Sequence, residues 1–99
     1  MATTKQILAQ IRRLGPMARG SIVENQVRCG KANCKCAQGE PHHAFYFSRR
    51  VAGKTKMDHL RPDQVARLQQ WRRNYDRLLA LVEELTGALL AELREEKRR

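Results

Sequence analysis

Residues 44–60 read AFYFSRRVAGKTKMDHL, and the way this stretch turns back on itself decides the fold. Phe45, Tyr46, Phe47 and Val51 favour an extended chain, and Val51-Ala52-Gly53 interrupts it, so two antiparallel strands are expected. Two turns compete. A two-residue Ala52-Gly53 loop of type I′ needs Ala52 at positive φ, which is costly for a residue with a Cβ. A three-residue loop ending in a left-handed Gly53 avoids that cost. The three-residue loop pairs Arg50 with Lys54, Ser48 with Lys56 and Phe47 with Met57. It gathers Phe45, Phe47 and Met57 on one face and Tyr46, Ser48, Arg50, Lys54 and Lys56 on the other. A slip of one residue would mix these sets, so the three-residue loop is the expectation.

Working outward, residues 21–28 also look extended. Val23 and Val27 point one way, and Ile22, Glu24 and Gln26 the other, which supplies a third strand. Before it, Thr3 or Thr4 can cap a short helix over residues 5–14. Its Ile7, Leu8, Ile11 and Leu14 share one face, and Gly15-Pro16 ends it. After the hairpin, Pro62 suits the first position of a long helix. Asp63–Arg67 and Arg72–Asp76 have the spacing of i,i+4 ion pairs. Leu68, Trp71, Tyr75, Leu78, Val82, Leu85 and Leu89 follow at alternating spacings of three and four, a coiled-coil-like seam. Carried to about residue 96, such a helix is roughly 50 Å long at 1.5 Å per residue. That is more than the preceding module can cover, so the seam is expected to meet a second copy, forming a homodimer, or a helical protein partner. The fold class is therefore α+β: a short N-terminal helix, a small three-stranded antiparallel sheet, and one long C-terminal helix. Residues 1–61 form the basic module and 62–99 the helix.

The charge is unevenly placed. The 99 residues carry 20 Lys/Arg against 10 Asp/Glu, a net +10. Residues 1–61 hold 12 of the cations and only three of the acids, whereas 62–99 are nearly balanced. A basic module beside a neutral helix points to a polyanionic partner, nucleic acid first. No apolar run approaches the roughly 20 residues that span a bilayer, so no membrane role is expected. The opening MATTKQILAQIRRLG is too polar for a secretory signal, which implies a cytoplasmic, reducing setting.

In that setting clustered thiols bind metal or do chemistry and do not form disulfides. The chain has three cysteines, Cys29, Cys34 and Cys36, and all lie within eight residues, with His42 six further on. Three sulfurs and one imidazole make a closed tetrahedral Zn2+ set. His43 competes with His42 for the fourth place. Gly30, Asn33, Gly39 and Pro41 allow the turns that would fold the loop around an ion. A catalytic zinc keeps an open position and has a base nearby; here four ligands close the shell and Glu40 is the one acid in the loop. The expectation is a structural metal and no enzyme.

The partner would then sit on the cations around the metal loop and hairpin: Arg28, Lys31, Lys35, Arg49, Arg50, Lys54, Lys56 and Arg61. Tyr46 and Ser48 are placed to stack on a base or bond a phosphate. Like charges opposed across strands are unfavourable, and a phosphate-rich partner relieves them. A two-stranded ribbon fits a DNA major groove and an aromatic sheet face fits single-stranded RNA; both stay open.

The run RCGKANCKCAQGEPHHAFYFSRRVAGKTK resembles the signature of a family of small uncharacterised bacterial proteins. Its pattern is RCGK-x-x-C-x-C, a histidine soon after, an aromatic strand, a GKT turn and a long charged helix. Cys29, Cys34, Cys36 and His42 fall on the cluster, and Gly53, Lys54 and Thr55 on the turn. The family pattern carries a small residue after the histidine, where this chain has His43. The resemblance covers residues 20 to about 85 and is specific in the cysteine loop. It implies an accessory role near mobile elements and names no activity. The reading as a whole is a non-enzymatic, zinc-stabilised nucleic-acid-binding protein. The alternative is an adaptor that docks on a larger protein through the long helix.

Overall fold

The structure is a computed structural model that describes residues 2–27 and 42–98, with Gln26, Val27 and His42 described by their backbone. The element order is α1 (Thr4–Arg12), β1 (Ser21–Val27), β2 (His42–Val51), β3 (Lys54–Leu60) and α2 (Pro62–Lys97). The strands form one antiparallel sheet in the order β1-β2-β3. The class is α+β, with the short helix, the three-stranded sheet and the long helix the sequence calls for. Arg28, Cys29, Lys31, Cys34, Lys35 and Cys36 lie outside the described residues, so the expectations resting on them are carried forward as proposals.

The chain divides into two compact units. One comprises residues 19–69: the sheet and the first turns of α2. Its register departs from the expected one. Val51 pairs with Lys54, Arg49 with Lys56, Ser48 with Met57 and Phe47 with Asp58. The loop is thus the two-residue Ala52-Gly53, with φ of 51° and 79°, the type I′ pattern whose twist matches that of the flanking strands. An L-residue in this region costs roughly 1–2 kcal/mol. Two hydrogen bonds offset it: the Arg50 guanidinium donates to the Gly53 carbonyl at 2.6 Å and to Thr55 Oγ1 at 3.3 Å. Arg19 adds a third clasp, donating to the Arg50 carbonyl at 3.0 Å.

The shift of one residue sends every β3 side chain to the other face. Lys54, Lys56 and Asp58 now share a face with Phe45, Phe47 and Arg49, and Met57 lies with Tyr46, Ser48 and Arg50. On the other side of β2, Ile22 pairs with Phe47 and Val23 with Tyr46. Phe47 and Leu68 are the buried apolar residues of this unit. Gly20 is required by contact: a Cβ there would lie 2.6 Å from Phe47 Cζ and 2.6 Å from the Ser48 carbonyl oxygen.

The other unit comprises residues 1–18 and 70–99. Thr3 caps α1 through a capping box, with Gln6 N–H donating to Thr3 Oγ1 at 3.2 Å and Thr3 N–H to Gln6 Oε1 at 2.9 Å. Gly15 follows the helix at a φ of 73°. α1 lies antiparallel on the distal part of α2. Ala18 N–H donates to the Trp71 carbonyl, Asn74 to the Pro16 carbonyl, Arg77 to Gln10 Oε1, and Thr4 to Glu92 Oε1. Ile7 and Leu81 are fully buried, at 2% and 0% exposure. The line of α2 on this side is Trp71 and Asn74, bonded by Ala18 and Pro16, then Leu78, Leu81, Leu85 and Ala88, all buried or half-buried. It is rotated from the expected seam: Tyr75 is half-buried, Val82 and Leu89 are exposed, and Leu81, absent from that seam, is the most deeply buried leucine.

At its start α2 is stabilised locally. Arg61 N–H donates to Gln64 Oε1 at 2.9 Å, and Asp63, in the first turn, pairs with Arg61 at 3.3 Å instead of Arg67. Arg72 and Asp76 form the expected i,i+4 pair at 3.2 Å. The helix continues through Gly87.

Candidate nucleic-acid interface and the flank of the cysteine loop

Cations concentrate at the turn end of the β2–β3 hairpin. Arg49 stands directly opposite Lys56, and Lys54 is next on the same face. All three are exposed. Among the described residues one carboxylate answers them, with Asp58 Oδ2 at 3.9 Å from Arg49 Nε. Neither Lys54 nor Lys56 has an ion-pair partner among the described residues. Opposed like charges on a strand pair are unfavourable by up to about 1 kcal/mol, so this cluster is a local cost to the isolated fold. Its position on β3, an edge strand, also protects that edge against pairing with another chain.

The other predicted contact residues part company. Arg50 is taken up by the turn, bonded to Gly53 and Thr55. Tyr46 and Ser48 lie on the face opposite Arg49, Lys54 and Lys56, which corrects the expectation that they sit among the lysines. Tyr46 meets His59 edge-on, with centroids 5.3 Å apart at 76°. Arg61 is near the start of α2 and paired with Asp63. Arg19, which the sequence reading did not select, reaches the hairpin through the Arg50 carbonyl. Only the strand register could have shown it, because residues 19 and 50 are far apart in sequence.

The cysteine segment, residues 28–41, leaves β1 and returns into β2 across the Val27–His42 pair. His42 and His43 therefore start a strand. The side chain of His43 is engaged: its Nδ1 is 2.6 Å from Glu24 Oε1, with both groups half exposed. Glu24 sits on the same face, diagonal to His43 in the ladder. This contact leaves Nε2 as the ring atom open to another ligand. Among the described residues, no three His, Cys, Asp or Glu side chains converge as a metal set. Glu24 was invisible to spacing rules, since its partner is 19 residues away and the two meet through the register.

Among the described residues no helix is long and apolar enough to cross a membrane. No curated protein and no solved structure matches the chain. One family does, over residues 3–70, a span that takes in α1, the sheet and the first turns of α2. That is more than half of the sequence, and on it the chain belongs to the family described as a domain of unknown function, DUF6788.

Proposed function

We propose that this chain is a non-enzymatic nucleic-acid-binding module that uses the face of its hairpin bearing Arg49, Lys54 and Lys56. The observation that carries the reading is the Arg49–Lys56 opposition with Lys54 beside it, three exposed cations with a single carboxylate near them among the described residues. A fold that keeps such repulsion gains when phosphates replace the missing counter-charge. Arg19 and Arg61 are further exposed cations of the same unit. The register alters how the surface would work. Phosphate contacts belong to the Arg49 face, while Tyr46 and His59, on the other face, are free to serve a different purpose.

The module is read as zinc-stabilised, with Cys29, Cys34 and Cys36 and one of His42 and His43 as ligands. The Glu24 contact supports His43. A metal-bound imidazole commonly gives its second nitrogen to a carboxylate, which fixes the ring and raises its basicity. Three thiolates and an imidazole fill a tetrahedral shell, so the metal's contribution is to fold and not to catalysis. Such sites contribute on the order of 10 kcal/mol to folding. Thiolates kept for metal accord with a cytoplasmic location.

The test is salt-dependent binding of fluorescent duplex and single-stranded oligonucleotides. Neutralising about four phosphates gives a log–log slope near −3.6 on duplex, or roughly 150-fold weaker binding at 200 mM than at 50 mM salt. Affinity that hardly changes over that range sinks the proposal. A second reading, docking to another helix through α2, is favoured by a separate observation: Leu79, Val82, Leu89, Leu90 and Leu93 are all exposed.

A further inference from the structure

α2 has two apolar lines in its distal part, and the described residues cover only one of them. The covered line runs through Leu78, Leu81 and Leu85, against α1. The second contains Leu79, Val82, Leu89, Leu90 and Leu93, each 43–54% exposed. Thr86 completes it, at helical spacing from Val82 and Leu90. The Thr86 hydroxyl donates to the Val82 carbonyl at 2.9 Å, so its hydrogen-bonding need is met within the helix and its methyl continues the stripe. A contiguous apolar face of this kind marks an interaction surface.

One further observation, charge, bears on what covers it. Along the edge of the stripe, Asp76 is satisfied by Arg72. Glu83 and Arg94 have no ion-pair partner among the described residues. They are of opposite sign and 11 residues apart, about 16 Å along the axis, too far to meet within one helix.

We infer that the second stripe of α2 is covered by a second copy of this chain, with the two α2 helices antiparallel. This deepens the helix-docking reading above and rests on it. A twofold axis between residues 88 and 89 brings Glu83 of each copy level with Arg94 of the other, giving two reciprocal pairs. The same axis sets Leu89 of the two copies nearly level with each other and Val82 beside Leu93. Self-complementarity about a dyad is what an isologous interface requires. A parallel arrangement keeps equal positions level and leaves Glu83 and Arg94 apart. With α1 on its own line, each copy contributes two helices to a four-helix contact.

Sedimentation equilibrium of the full metal-loaded chain tests this, with far-UV circular dichroism as the folding control. The wild type should sediment as a dimer. Leu89→Glu, at an exposed position, should weaken dimerisation at least a hundredfold while helicity is kept. Glu83→Lys and Arg94→Glu should each weaken it about tenfold, since each breaks two rim pairs worth a factor of a few apiece. The double exchange should restore it, because the pairs re-form between copies. A dimer indifferent to Leu89→Glu would overturn the surface. A dimer weakened by Leu89→Glu but not rescued by the double exchange would overturn the antiparallel arrangement and leave docking through the stripe standing. A monomer at all concentrations would overturn self-association. Binding of that monomer to anionic vesicles, or to another protein, when abolished by Leu89→Glu, would reassign the stripe to that occupant.

Discussion

The Ala52 turn offers a direct check on the register from which the functional surface follows. Ala52 has φ of 51° and precedes Gly53 at 79°. Asparagine tolerates this conformation through its short polar side chain, and Asn-Gly is the preferred type I′ pair. Ala52→Asn should therefore remove about 1 kcal/mol of backbone cost. For a chain of 99 residues that raises the midpoint of thermal unfolding by roughly 4–8 °C. Ala52→Gly should gain less, because the freer unfolded chain takes back about 0.5–1 kcal/mol. Ala52→Val should lose stability, since a β-branched residue is worse still in the left-handed region. The assay is thermal unfolding followed by circular dichroism with the metal saturated. The order Asn above Gly above Ala above Val is the expected result. If Asn and Val proved equally neutral, Ala52 would not be left-handed. The three-residue loop would then return, and Lys54 and Lys56 would rejoin Tyr46 on one face.

Other outcomes follow from contacts described above. Gly20→Ala should cost about 1–3 kcal/mol in chemical denaturation, because its Cβ meets the Phe47 ring and the Ser48 carbonyl at 2.6 Å. Leu81→Ala should cost about 2–5 kcal/mol, as befits a leucine with no exposed surface. Leu79→Ala, at a half-exposed position, should stay within about 0.5 kcal/mol when measured on the monomer. Lys54→Ala and Lys56→Ala should each flatten the salt slope of duplex binding by about 0.9. Arg50→Ala should instead lower stability, through loss of its bonds to the turn. Competition with a chromophoric chelator should show His43→Ala weakening zinc strongly and Glu24→Gln weakening it about 10–100-fold. An unchanged affinity in His43→Ala would return the fourth place to His42.

Much of the fold was legible because its signals are local. Thr3 with Gln6, Gly15-Pro16 and Pro62 each act within one turn of chain, and the helix boundaries follow them closely. The hairpin was legible as a hairpin, but its register was not. The backbone cost at Ala52 and the gathering of one apolar face both favoured the longer loop, and the guanidinium that tips the balance the other way, Arg50 on Gly53 and Thr55, belongs to the folded turn. The line of α2 that packs within the unit was hidden for a similar reason. From Leu78 the sequence offers both Leu81 and Val82 at allowed spacing, and polar Asn74 disguised the line that α1 selects. At the candidate site, the cations were readable from charge alone. Their division between two faces was not, nor was the Glu24–His43 contact, since both depend on which residues the ladder sets side by side.

The antiparallel lie of α1 on α2 has a consequence for synthesis on the ribosome. Thr4 bonds Glu92, 88 positions later, and Ile7 is buried in the unit that holds Leu81. At about 5–20 residues per second, the chain must elongate for several seconds after Ile7 is made before Leu81 exists. Until then a nine-residue helix is too short to persist by itself. The nascent chain thus carries an uncovered apolar segment while the sheet segment emerges behind it. Residues 4–12, translated before the sheet, are placed only after it, and during that interval a chaperone or an aggregate competes with α2 for the same leucines and isoleucines.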